Sequence, residues 1–233
     1  MNYMLSSHQE KQVAVINQIE EQVRSSSLGF TTVAPVDNYE SDSRISLTSV
    51  HLPSQDLKTR VQESIILPLR QISPDFFYYP SDLLHMTIKN VRVVSDPPTF
   101  SNEDEKKAKE VFAAVIPNHK KFQVYFYRLL LFPNNLALIG TTDPELDSIV
   151  FDLDTHLINA GIPDDKKYLN SQYFFSNMTL ARFNTQPTLE FVRKVSEISD
   201  SLRFEPYIVD SVTLITCTAV LTKRHLIDTW KLA

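Results

Sequence analysis

Apolar residues recur along this chain at two spacings, one near four residues and one of two, and they divide it into helices and strands from end to end. Ser7-His8-Gln9-Glu10 has the spacing of a capping box and leads into Val13, Ile16, Ile19 and Val23, a helix expected to end in the serine run Ser25 to Ser27. Ile45, Leu47 and Ser49 alternate as a strand. Ser54 then caps a helix with Leu57, Val61 and Ile65 on one face, and Pro68, which has no N–H for the helical ladder, is expected to disturb it. A strand over 83–94 follows.

Ser101 with Glu103, Asp104 and Glu105 opens a helix through Val111, Phe112 and Val115, stopped at Pro117, since early acids suit the positive end of the helix dipole. Strands over 122–131 and 136–139 flank a turn at Pro133-Asn134-Asn135. Asp143-Pro144-Glu145 offers a cap, a proline at the first helical position and an early acid, and Gly161 marks the far end of a helix lined by Leu146, Ile149, Val150, Leu153 and Leu157. A strand over 173–183, a helix carrying Leu189, Val192, Val195 and Ile198, and two strands over 207–216 and 219–230 complete the chain. No long linker interrupts this alternation after residue 43. The organisation expected is an N-terminal helical extension, 1–42, and one α+β domain, 43–233, built of two similar halves.

Two of the strands are near-copies: Leu84-His85-Met86-Thr87-Ile88-Lys89 and Ser176-Asn177-Met178-Thr179-Leu180-Ala181. Alternation puts His85 and Thr87 on one face against Leu84, Met86 and Ile88, and Asn177 and Thr179 against Met178 and Leu180. Side by side, such strands would offer a cavity one imidazole, one amide and two hydroxyls.

An apolar share of 42% over 233 residues allows a good core. No basic segment with a long apolar run opens the sequence, and no run approaches the roughly 20 residues of a membrane helix, so neither secretion nor membrane association is expected. Cys217 is alone, which leaves no intramolecular disulfide and no cysteine-based zinc site; a buried thiol and a cytoplasmic location are expected. A formal charge of −5 argues against a basic surface for long nucleic acid but permits a small positive pocket for one phosphate. The three glycines, Gly29, Gly140 and Gly161, are too scattered for a dinucleotide fingerprint or a P-loop. Asp152 and His156 have metal-ligand spacing on a helix but no evident third ligand, and Lys223, Arg224 and His225 read as a surface turn or a basic lip.

The segments Ile45 to Leu69, Tyr79 to Ile88, Leu131-Phe132-Pro133-Asn134 and Asn177-Met178-Thr179-Leu180-Ala181-Arg182 resemble, in order and spacing, the 2H phosphoesterase superfamily, in the branch of 2'-5' RNA ligases and RNA 2',3'-cyclic phosphodiesterases. The resemblance covers residues 43–233. It implies a bilobal, pseudo-twofold fold in which two antiparallel-rich sheets flank a central cleft with helices outside. It also implies metal-independent opening of a 2',3'-cyclic phosphate on RNA ends or small nucleotides, no cofactor, and a monomer. Transferred by motif position, His85 moves a proton, Thr87 and Thr179 clamp the phosphate, and Arg182 contacts it. Asn177 stands where the second histidine belongs and has no proton to exchange, so turnover is expected to be impaired, and a non-catalytic module binding a nucleotide or RNA terminus is the alternative. Alternation places Arg182 on the Met178 face, so its reach into the cleft requires a bulge. Asn90 falls where some members carry a base-stacking aromatic; Tyr78, Tyr79 or Tyr173 could substitute.

Overall fold

A capping box does open the first helix, one residue earlier than expected. In the computed structural model, which describes residues 5–233, helix α1 (Ser7–Arg24) is capped by Ser6, whose hydroxyl accepts from the Gln9 amide while the Gln9 side chain accepts from the Ser6 amide. Strand β1 (Ile45–His51) leads to α2 (Gln55–Val61), capped by Ser54 as expected. Pro68 does not end this helix. A π turn at Gln62–Ile66, in which the Leu67 amide reaches back five residues to the Gln62 carbonyl, resets the ladder just before the proline, and α3 (Leu67–Ile72) continues.

Strands β2 (Phe77–Tyr78) and β3 (Met86–Ser95) precede α4 (Asn102–Val115), where Ser101 and Asp104 form a reciprocal capping box. Strands β4 (Phe122–Phe132) and β5 (Asn135–Thr142) form the expected hairpin, and α5 (Glu145–Asn159) follows. Asp143 does not cap α5 with its side chain: that carboxylate accepts from the Gln123 amide at 2.9 Å, tying the helix entry to β4. Gly161 closes α5 with φ +77, a left-handed position that a side chain would strain.

Beyond β6 (Ser176–Arg182), α6 (Leu189–Ser201) buries Phe191, Val195 and Ile198, whereas Leu189 and Val192 stand exposed, so its core-facing stripe is rotated from the expected one. The first closing strand is two strands: β7 (Tyr207–Val209) pairs with β4, and after Asp210 the chain changes sheets, so that β8 (Ser211–Thr218) pairs with β1 and then with β9 (Arg224–Lys231).

Two antiparallel sheets result, ordered β3-β1-β8-β9 and β2-β6-β5-β4-β7. One contiguous core joins them, drawing Leu47, Val91 and Leu214 from the first and Leu136, Leu138 and Met178 from the second. Helices α4 and α5 pack together against the first sheet, and α6 packs against the second with α3 beside it. Helix α1 lies on the opposite face of the second sheet, where Val15, Ile16 and Ile19 pack on Leu130, Ala137 and Ile139. Fully buried Gln12 fixes it there, its amide nitrogen donating to Thr142 Oγ1 (2.8 Å) and the Phe174 carbonyl (2.5 Å) and its amide oxygen accepting from the Thr142 amide (2.8 Å). Among the described residues, no helix is long and apolar enough to cross a membrane.

Candidate active site

The two near-copied segments lie in different sheets, β3 at the edge of the first and β6 one strand in from the edge of the second, and β3 and β6 approach one another where the sheets meet. Their irregularities match. Opposite β1, Val50 pairs with Thr87 and Ser49 with Lys89, leaving Ile88 as an extra residue; opposite β5, Ala137 pairs with Thr179 and Leu136 with Ala181, leaving Leu180 extra. Each strand therefore carries a bulge immediately after its motif threonine. An inserted residue reverses the alternation beyond it. In β6 the reversal takes Arg182 off the face of Met178. In β3 the same reversal takes Lys89 off the Thr87 face, and its ammonium pairs with Asp154 of α5 and with Asp164.

Asn177 and Thr179 lie opposite Ile139 and Ala137, on the face that α1 covers over β4 and β5. Thr87, Asn177 and Thr179 are half-buried, and their side chains have no hydrogen-bond partner among the described residues. His85 precedes β3 directly and is nearly buried; its Nδ1 donates to the Leu83 carbonyl at 2.9 Å, which fixes the tautomer and leaves Nε2 as the free acceptor. Burial pushes its imidazole down to about 4, reinforced by the positive charges of Arg182 and Arg224 and opposed by the Leu83 hydrogen bond.

That shift predicts a stability change with pH. The unfolded histidine, with its ordinary value near 6.5, binds protons that the folded one refuses, so this contribution is complete above about pH 6.5 and is lost as pH falls toward 4, in total of order 3 kcal/mol. His51, also held low chiefly by burial, acts in the same direction. Replacing His85 by Gln is expected to flatten the difference between unfolding free energies at pH 7 and pH 5; an unchanged difference in the variant would contradict the assignment.

Arg182 is buried among neutral groups. Its Nε donates to the Tyr79 hydroxyl (3.0 Å), its Nη2 to the Ala219 carbonyl (3.3 Å), and its guanidinium carbon lies 5.8 Å from the centre of the Tyr39 ring, while Nη1 is buried without a partner among the described residues. Among the described residues no carboxylate pairs with it, since nearby Asp42 is engaged by Arg44 at 2.8 Å. A buried guanidinium costs several kcal/mol unless an anion compensates it.

Tyr79 is wholly buried and therefore cannot stack on a base at the rim; its ring packs on His85 with centroids 5.8 Å apart. Tyr78 is buried too, its hydroxyl donating to the Leu69 and Ser73 carbonyls. Tyr173 lies before β6 against α1, edge-on to His8 (5.9 Å) and under the Lys11 ammonium (5.3 Å). The metal reading of Asp152 and His156 finds no support in their contacts: His156 Nδ1 meets the Asp152 carbonyl, and the Asp152 carboxylate meets His119. Cys217 is the buried thiol expected, pushed up to about 11 by burial. Sequence reasoning missed Tyr39 and the Ala219 carbonyl as neighbours of Arg182; neither stands in a motif or a periodic run. It left open the role of Arg224, whose guanidinium bonds the Asp82 carbonyl at 3.3 Å and faces His85 with positive charge.

No family model matches the sequence, and no curated protein matches it. Solved structures do. Escherichia coli LigT in its apo form aligns with a TM-score of 0.54 at 15% identity, over 82% of this chain and 99% of LigT. LigT complexed with phosphate aligns with a TM-score of 0.51 at 16% identity, over 83% of this chain and 99% of LigT. A conserved protein of unknown function from Agrobacterium tumefaciens aligns with a TM-score of 0.55 at 13% identity, over 89% of this chain and 95% of that one. At such identities what is shared is the fold, and the α+β architecture expected from the sequence is that of LigT.

Proposed function

We propose, starting from a chain with the LigT fold, that this protein binds the phosphate of a nucleotide or RNA terminus between β3 and β6 and opens 2',3'-cyclic phosphates slowly, without a metal. The observation that carries the reading is the set of polar groups left free there: His85 Nε2, the side chains of Thr87, Asn177 and Thr179, and the buried Nη1 of an arginine with no carboxylate partner. Buried polar groups are ordinarily satisfied, and a cluster of free donors beside an uncompensated cation suits an anion with several oxygens. LigT has been crystallised with phosphate, 3'-AMP and ATP, which supports a nucleotide as the ligand class.

In this mechanism the neutral His85 takes a proton at Nε2 from water as the water oxygen bonds to phosphorus. The threonine hydroxyls and Arg182 hold the non-bridging oxygens as negative charge gathers on them. The bond from phosphorus to a ribose oxygen then breaks, that oxygen takes a proton from solvent water, and His85 returns its own proton to solvent. The Asn177 amide can only donate a hydrogen bond at the corresponding place, so departure of the ribose oxygen limits the rate. The bound anion itself raises the proton affinity of His85, offsetting part of what burial removed.

Calorimetric titration with 3'-AMP in the presence of a chelator tests the binding half of the reading. Micromolar to millimolar affinity is expected for the protein as it stands, with at least a tenfold loss in Arg182→Ala, because hydrogen bonds to a charged group contribute about 1.5–3 kcal/mol. No heat with the unaltered protein, or equal affinity in the variant, contradicts the proposal. A purely binding role is the second reading, favoured by Asn177 alone.

A further inference from the structure

Tyr79 is the largest fully buried side chain among the described residues, yet its hydroxyl is neither idle nor bonded simply to the nearest backbone. It accepts from Arg182 Nε at 3.0 Å and donates to the Ala219 carbonyl at 2.9 Å, and that same carbonyl accepts from Arg182 Nη2 at 3.3 Å. The backbone around the ring is fixed on both sides: the Tyr79 amide donates to the Leu180 carbonyl, at the bulge of β6, and the Tyr79 carbonyl accepts from the Gln62 side chain at 2.8 Å. The ring face meets His85. One side chain thus touches both the imidazole and the guanidinium. Tyr39, from the segment between α1 and β1, covers the guanidinium face, and its own hydroxyl is held by the Phe183 carbonyl at 3.1 Å.

If Tyr79 only filled the core, phenylalanine would serve, since a buried hydroxyl must find partners or cost stability. Instead the hydroxyl and the Ala219 carbonyl together occupy two of the guanidinium's three nitrogens, and Tyr39 blocks one face. Among the described residues, Nη1 alone of the three is left without a partner. A planar fork held at two corners can present the third in one direction, which is the preorganisation that anion recognition requires.

We propose that Tyr79, seconded by Tyr39, is a positioning residue that aims Arg182 Nη1 at the bound phosphate. This rests on the phosphate reading above. Inorganic phosphate is the probe, titrated into the unaltered protein, Tyr79→Phe, Arg182→Lys and the double variant. Tyr79→Phe is expected to weaken phosphate about tenfold when Arg182 is present, and by less than about twofold once lysine has replaced the fork, because a residue acting through another has no effect in its absence.

An equal loss in both backgrounds means that Tyr79 acts structurally and overturns the inference. Unchanged affinity in Tyr79→Phe overturns it too, while leaving the phosphate reading intact. Absence of phosphate binding by the unaltered protein overturns both. Should Tyr79→Phe fail to fold, Tyr39→Leu, which retains apolar volume but removes the π face, carries the same comparison: a loss confined to the Arg182 background supports the inference, and any other pattern contradicts it.

Discussion

Asn177→His is expected to raise the rate of 2',3'-cyclic nucleotide opening by about 10²- to 10⁴-fold, the usual contribution of one general acid or base. In barrier terms this is roughly 3–5 kcal/mol. The reason is local. The Asn177 side chain is half-buried, makes no hydrogen bond within the described chain, and lies opposite Ile139 on the face of β6 shared with Thr179, so an imidazole there meets no competing partner. The gain is expected in kcat, with KM changed little, because an amide and an imidazole both donate to a phosphoryl oxygen while only the imidazole transfers its proton. Adding His85→Gln to the variant should return the rate to near background. Equal rates for asparagine and histidine would mean that another group already protonates the leaving oxygen. Inactivity of both would leave the binding role alone standing.

Lys89→Met is expected to cost about 3–5 kcal/mol of folding stability, the usual effect of removing one partner from a buried ion pair. Lys89 is 1% exposed, with its ammonium 2.7 Å from Asp154 and 2.5 Å from Asp164 and 4.9 Å from the centre of the Tyr168 ring. Asp164 is itself 6% exposed and also accepts from the Tyr168 hydroxyl at 2.9 Å and the Lys166 amide at 2.7 Å, so methionine would leave its carboxylate with two neutral donors and no paired cation from Lys89. Denaturant unfolding measures the loss. Asp164→Asn added to Lys89→Met should recover part of it by removing the stranded charge, and a loss below about 1 kcal/mol in the single variant would show the pair to be as weak as a surface contact.

Much of this architecture is legible in the letters because the local and global signals agree. Ser54 and Ser101 cap their helices, Gly161 ends one, and the alternation in the two motif strands does set Thr179 apart from Met178. What escapes has a common cause: it is decided by partners remote in sequence. Neither Ile88 nor Leu180 carries a glycine or proline to announce a bulge, since the extra residue is defined only against β1 and β5. Leu189 and Val192 share a helical face on paper, but the crossing of α6 over β4 turns Phe191 inward instead. The change of sheets at Asp210 lies inside what reads as one strand. Tyr39 stands in a stretch without periodicity, and only the fold brings it over Arg182.

Gln12 also bears on how the chain comes together. Its three hydrogen bonds go to Thr142 and Phe174, 130 and 162 positions onward, so α1 can be fixed in place only once those distant residues have come to it. Until then its apolar stripe is open to solvent, and pairing across such distances is slow to form because the intervening loop must close first. The wall that α1 supplies over β4 and β5 thus rests on contacts of long sequence separation, the kind that closes slowly.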